Sequence, residues 1–229
     1  MRFAAYYTPP RDSALARTAA EWLGRDAFAD QAVREPDSRL DAIVAEPARY
    51  GFHATLKAPF RLADGQSVDA LDRVFATFCA IRAAPCIGSL ALARLGRFFA
   101  LVPAAPEPGI AALEADIVEV FDTFRAPLTD AEMERRRPDR LTDRQRALLA
   151  RWGYPHVLDE FRFHMTLTGP VDDVDGSLEA ELADRFAGFL DRPLVLEGLA
   201  LFVQPAPDAP FRVHRYHSFA AEAASEPAT

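Results

Sequence analysis

The chain has 229 residues, half of them hydrophobic and about a quarter charged, with a formal charge of −8. That is enough apolar material for a full core. The acidic balance disfavours a grip on duplex nucleic acid, whose binders gain much of their affinity from Lys and Arg on phosphates, yet a small anion in a local basic pocket stays compatible. No apolar run approaches the length needed to span a bilayer, and Met1-Arg2-Phe3-Ala4 soon gives way to Pro9-Pro10 rather than to an apolar signal segment. A cytoplasmic chain with no membrane partner is therefore expected, and Cys79 and Cys86 read as small apolar packing groups.

In chain order, Phe3 to Tyr7 reads as a strand stopped by the prolines, and Ser13 caps a helix with Leu15, Ala19, Trp22 and Leu23 at helical spacing. Residues 25–49, polar and carrying Pro36 and Pro47, read mostly as loop. A motif strand follows, then a helix capped by Ser67 with Leu71, Val74, Phe75 and Phe78 on one face. Strands at 87–95 and 98–102 flank a Gly96-Arg97 turn, and Ile110, Leu113, Ile117, Val120, Phe121 and Phe124 give the cleanest amphipathic helix.

Residues 127–155 hold the densest basic run, Arg135-Arg136-Arg137, and a capping box, Thr142 with Gln145, opens a helix that Gly153 ends. A second motif strand, a helix from about Ser177 and strands at 194–203 and 211–219 then repeat the earlier order. The Ala/Glu/Ser-rich tail after Phe219 is expected to fray.

The motif strands carry the chemistry. Phe52-His53-Ala54-Thr55-Leu56-Lys57-Ala58-Pro59 and Phe163-His164-Met165-Thr166-Leu167-Thr168-Gly169-Pro170 share one pattern, roughly half a chain apart, and so mark an internal repeat. Strand alternation sends Phe161, Phe163, Met165 and Leu167 to the core and Arg162, His164, Thr166 and Thr168 to the opposite face, and Gly51, His53, Thr55 and Lys57 match that polar row in the first copy. Two imidazoles that titrate near neutrality can hold one base and one acid at once, which suits in-line attack on phosphorus. The hydroxyls of Thr55 and Thr166 would bind the non-bridging oxygens, with Lys57 and Arg162 as further contacts on the same face.

No metal and no cofactor is required. His214 and His217 fall on opposite faces of a strand, and neither they nor His156 make a ligand set. Tyr50 flanks the first motif on the core-facing phase, where it packs or else stacks on a base.

The paired motif resembles the two-histidine (2H) phosphoesterase superfamily, which includes the LigT-like RNA ligase and cyclic phosphodiesterase enzymes. The resemblance implies two pseudo-symmetric α+β lobes with the active site between them, His53 and His164 as catalytic residues, and Thr55 and Thr166 as phosphate-binding hydroxyls. Over most of the chain Arg49 to Lys57, Arg135 to Pro138, Phe161 to Pro170 and Leu201-Phe202-Val203-Gln204-Pro205 are similar to a subgroup assigned to phosphonate metabolism.

The expectation is thus an α+β fold of two lobes, residues 1–126 and 156–229, each an antiparallel sheet with outer helices, joined by the Arg-rich segment 127–155. Its activity would be that of a metal-independent phosphoric diester hydrolase of cyclic phosphodiesterase type, acting on a small nucleoside or sugar cyclic phosphate. A 2′–5′ RNA ligase/phosphodiesterase-like enzyme and a non-catalytic phosphate-ester binding module are the alternatives. Arg135, Arg136 and Arg137 would clamp a further phosphate or stay solvated. The oligomeric state stays open.

Overall fold

Both faces of β1 (Arg2–Tyr7) are covered, which is why its sequence is a continuous apolar run rather than an alternating one. Phe3, Ala5 and Tyr7 join the main core with Leu15, Ala19, Trp22 and Leu23 of α1 (Ala14–Leu23), whereas Ala4 and Tyr6 join a smaller cluster with Ala200, Phe202 and Phe211 on the other face. The computed structural model describes residues 1–220, so the tail expected to fray lies, from residue 221, outside the described residues.

A short hairpin, β2 (Arg25–Asp26) and β3 (Gln31–Ala32), leads into α2 (Ser38–Ala48). Residues 25–49 are therefore not mostly loop. Pro36 lies ahead of the cap and Pro47 in the last turn, so neither breaks the helix. The Asp37 carboxylate caps it by accepting from the N–H groups of Arg39 and Leu40, and Leu40 and Val44 are buried along one side.

Next come β4 (Ala54–Phe60), α3 (Val68–Ala80), β5 (Cys86–Ile87), β6 (Leu90–Leu95), β7 (Phe98–Pro103) and α4 (Pro108–Val120), which runs into a 3-10 turn at Phe121–Phe124. The Arg-rich segment folds into α5 (Asp130–Arg135) and α6 (Asp143–Trp152). Each opens on a capping box, Thr129 with Glu132 and Thr142 with Gln145, and Gly153 ends α6 in the left-handed conformation. The chain closes with β8 (Met165–Thr166), α7 (Ser177–Phe186), β9 (Leu194–Val195), β10 (Gly198–Gln204) and β11 (Arg212–Ser218). None of the helices is long and apolar enough to cross a membrane among the described residues.

The fold is α+β around a large antiparallel sheet, in the order β11-β10-β1-β4-β8-β7-β6, with β2–β3 and β5–β9 as separate small ladders. The expected arrangement of one sheet in each of two lobes gives way to this single sheet. The two motif strands are neighbours at its centre rather than facing walls, and they meet in register: Ala54, between His53 and Thr55, pairs with Met165, between His164 and Thr166.

That is the one ladder pair between β4 and β8. Beyond it β4 has no ladder partner on that side among the described residues, which tolerates Pro59 and leaves the two strands free to diverge.

Candidate active site

Both motif histidines lie one residue ahead of their strands and are held in the same way. Nδ1–H of His53 donates to the carbonyl of Gly51 at 2.9 Å, and Nδ1–H of His164 donates to the carbonyl of Arg162 at 2.8 Å. A backbone acceptor two residues back therefore fixes each tautomer and leaves Nε2 as the reactive nitrogen. For His53 that nitrogen accepts from the Thr55 hydroxyl at 3.2 Å. The contact needs a glycine at 51: φ is +78°, and a Cβ there would stand 2.5 Å from that of Ala27.

His53 is packed on an aromatic shelf. The Tyr6 ring stacks on it with centroids 4.0 Å apart, Tyr50 lies 5.8 Å away, and Tyr50 in turn stacks on Phe211 at 5.0 Å. Part of its surface stays open to the cleft. Burial pushes its pKa down to about 4, and the nearby His164 pushes in the same direction, so the free protein holds His53 neutral. Burial drives the Tyr6 phenol the other way, well above its ordinary range, so it stays protonated beside Thr55.

A cleft of about 350 Å³ gathers Tyr50, His53, Thr55, His164, Thr166 and Arg136 from the sequence-based set, along with Tyr6, Tyr154, Phe98, Glu46 and Thr168. The Arg136 guanidinium lies 4.9 Å from the centre of the Tyr154 ring. Thr168 is a tether, its hydroxyl oxygen accepting from the Phe99 N–H at 3.0 Å and tying the second motif to β7. Tyr6 was legible in part, since alternation from Phe3, Ala5 and Tyr7 sends it to the opposite face. Tyr154, Phe98 and Glu46 reach the site through tertiary folding, with no local signal.

Four expected residues stand apart from the cleft. The pairing between β1 and β4 shifts register, with Tyr6 opposite Thr55 but Ala5 opposite Lys57, so a bulge turns Lys57 to the helix-covered face. There its ammonium donates to the Val118 carbonyl at 2.9 Å and pairs with Asp122 at 3.3 Å. The Arg162 side chain is exposed and borders a different depression beside Phe161 and Pro103, so its backbone carbonyl alone serves His164. Arg135 turns into a neighbouring depression, and Arg137 is exposed in a left-handed turn. Arg136 alone of the basic run borders the cleft.

Lys57 shares its buried setting with Glu114, which is 1% exposed. One oxygen of Glu114 accepts from the Leu158 N–H at 3.0 Å and the other has no partner among the described residues. Burial raises its pKa to about 7, while burial lowers that of Lys57 to about 8 against the pull of Asp122. For Glu114 the folded value lies above the unfolded one, so its contribution to stability is complete below the ordinary pKa of 4.5 and is lost as pH rises through about 7.

Glu114→Gln keeps an acceptor for Leu158 and should remove that loss. Urea unfolding at pH 5 and pH 8 should show a smaller fall in stability for the variant than for the wild-type protein. Equal falls would mean that Glu114 is already ionised at pH 5.

The model of the DUF1045 family, described as a protein of unknown function, matches residues 55–212. Two curated relatives carry the name ribose 1,5-bisphosphate phosphokinase PhnN. The one from Janthinobacterium sp. (strain Marseille) is 37% identical over 92% of this chain and 49% of its own length. The one from Laribacter hongkongensis (strain HLHK9) is 41% identical over 94% of this chain and 51% of its own.

The chain thus spans about half the length of the curated relatives it matches. Their name is that of a kinase, a phosphoryl-transferring enzyme, and not of a hydrolase; the phosphoric diester hydrolase expected from the motifs is corrected on that finding. With a family match covering well over half of its residues, this chain belongs to the DUF1045 family.

Proposed function

We propose that the cleft binds a small phosphate ester of the sugar-phosphate class and that His53 and His164 exchange protons with it while a phosphoryl group passes from one oxygen to another, in phosphonate metabolism. The observation that carries this reading is the matched pair: two imidazoles, each with Nδ1 fixed by the carbonyl two residues back, Nε2 as the remaining ring nitrogen, and a threonine two residues on, whose hydroxyl at His53 already meets that nitrogen. The doubled motif's resemblance to the two-histidine superfamily supports an acid–base pair at phosphorus. The relatives' name supports a phosphorylated ribose as the kind of ligand, and the PhnN label agrees with the phosphonate-metabolism resemblance of the wider motif set.

In the proposed step the acceptor hydroxyl gives its proton to Nε2 of His53 as its oxygen bonds to phosphorus. The bond to the leaving oxygen breaks, and that oxygen takes a proton from Nε2 of His164. Thr55, Thr166 and Arg136 hold the non-bridging oxygens as charge gathers on them, Glu46 offers an acceptor for a sugar hydroxyl, and no metal ion is called on. A bound phosphate strengthens His53 as a base, because an adjacent anion favours the imidazolium and offsets the burial that holds its pKa near 4.

This site is not built like a nucleotide-phosphate loop. Lys57, the sole lysine of the chain, stands between Leu56 and Ala58 rather than in a Gly-Lys-Ser/Thr turn, and it is buried away from the cleft. The relatives' kinase activity belongs to chains about twice as long.

The weak basicity of His53 favours a second reading, a phosphate-ester binding module without turnover. The two are separated by incubating ribose and nucleoside phosphate esters with an alcohol acceptor and EDTA and following 31P NMR. Transfer of the phosphoryl group to a new oxygen is expected. Esters that bind and stay unchanged across the panel would leave the binding module.

A further inference from the structure

Beside the cleft lies a second depression, of about 490 Å³, bordered by Arg2, Arg49, Arg61 and Arg135 together with Glu132 and Asp208. Four guanidiniums in one hollow repel one another, and they do so on a protein whose formal charge is −8. Against the two carboxylates on its border, Glu132 and Asp208, two of the four positive charges stay uncompensated.

Arg2 is gripped by a neutral amide, with Nε 2.8 Å and Nη2 2.5 Å from Oε1 of Gln204, its ladder partner on β10. Gln204 is itself 1% exposed and anchored to the carbonyls of Pro207 and Ala209. Arg49 donates to the Pro207 carbonyl. Among the described residues Arg61 alone of the four is matched by a carboxylate, Glu132, whose pKa its hydrogen bonds hold down at about 2. Arg135 enters from the last turn of α5 with no carboxylate paired to it among the described residues. Cationic forks fixed by neutral acceptors are pre-organised for an anion, and the planar guanidinium fits phosphate in particular.

The depression is also joined to the cleft residue by residue. Arg49, Arg61 and Arg135 border the depression, while Tyr50, Pro59 and Arg136, one or two positions along the same three segments, border the cleft. The expected arginine clamp is thus divided between two neighbouring hollows, one guanidinium in each.

We infer that this depression is a subsite for a second phosphate, and that the preferred ligand is a small sugar ester phosphorylated at both ends, one phosphate at the histidines and the other among the arginines. The inference rests on the reading of the cleft given above.

Calorimetry with ribose 5-phosphate and ribose 1,5-bisphosphate at low salt tests it, with imidazole NMR reporting separately on the cleft. The wild-type protein should bind the bisphosphate at least about tenfold more tightly, the equivalent of one charge-assisted contact. Arg2→Gln with Arg135→Gln, and Arg135→Gln alone as the milder surface change, should reduce that preference while leaving ribose 5-phosphate affinity unchanged.

Equal affinity of the wild-type protein for the two sugars, or a preference that survives both changes, overturns the subsite alone, provided ribose 5-phosphate still moves the imidazole signals. Binding of neither sugar overturns the subsite together with the cleft reading.

Discussion

Replacing His164 by alanine should lower phosphoryl-transfer turnover by roughly 10²- to 10⁴-fold, the span of a positioned acid or base, with little change in thermal stability. The expectation of a mild structural effect rests on its place in the fold: its ring is partly open to the cleft, anchored by one bond to the Arg162 carbonyl, with Phe98 as a loose neighbour at 6.0 Å. His53 should show a similar fall in turnover.

Because His53 is stacked on Tyr6, its alanine variant should also lose stability, and His53→Asn is the cleaner probe. Its side-chain amide can still donate to Gly51 while supplying no titrating nitrogen. Turnover within about threefold of wild type in both His164→Ala and His53→Asn would remove the histidines from the chemistry.

The largest effect on stability should come from Trp22→Ala. Trp22 is fully buried on α1, and its indole N–H donates to the Leu167 carbonyl at 2.7 Å, holding from behind the strand end that follows Thr166. Losing a buried indole costs about 3–5 kcal/mol, a large share of the roughly 5–15 kcal/mol that holds a domain together. Trp22→Phe keeps most of the packing and should lose the smaller amount, about 1–3 kcal/mol, that goes with a buried carbonyl left without its donor. Urea unfolding of the two variants separates packing from hydrogen bond. Similar losses in both would place the stabilisation in the N–H rather than in the ring.

The parts of this protein that follow from local rules were legible in its sequence. Ser13 and Ser67 cap helices, Thr142 and Gln145 form a capping box, Gly153 ends α6, the apolar spacing of α1 matches its buried face, and Leu71, Phe75 and Phe78 do so on α3. Within the site, alternation put His53 with Thr55 and His164 with Thr166 on one face, and all four border the cleft.

Lys57 went wrong because a bulge is set by pairing between strands and leaves no mark in the order of residues. The same limit hid the single sheet, since two similar halves are equally compatible with separate sheets and with neighbouring strands in one. The helix at residues 38–48 was masked by prolines that fall where a helix tolerates them. The division of the arginine run between two hollows depends on where the short helix α5 ends, and charge density alone could not reveal it.

The central claim is that the two imidazoles meet a phosphate ester together, and the most direct test is a pH titration of both ring signals by NMR, with and without ribose 5-phosphate. In the free protein His53 should titrate near pH 4, because burial holds it neutral. With the ester bound its midpoint should rise by a unit or more, as expected for an anion within about 4–6 Å, and the His164 signals should shift in the same titration. A His53 midpoint that stays where it was at saturating ester, with the His164 signals unmoved, would contradict the account.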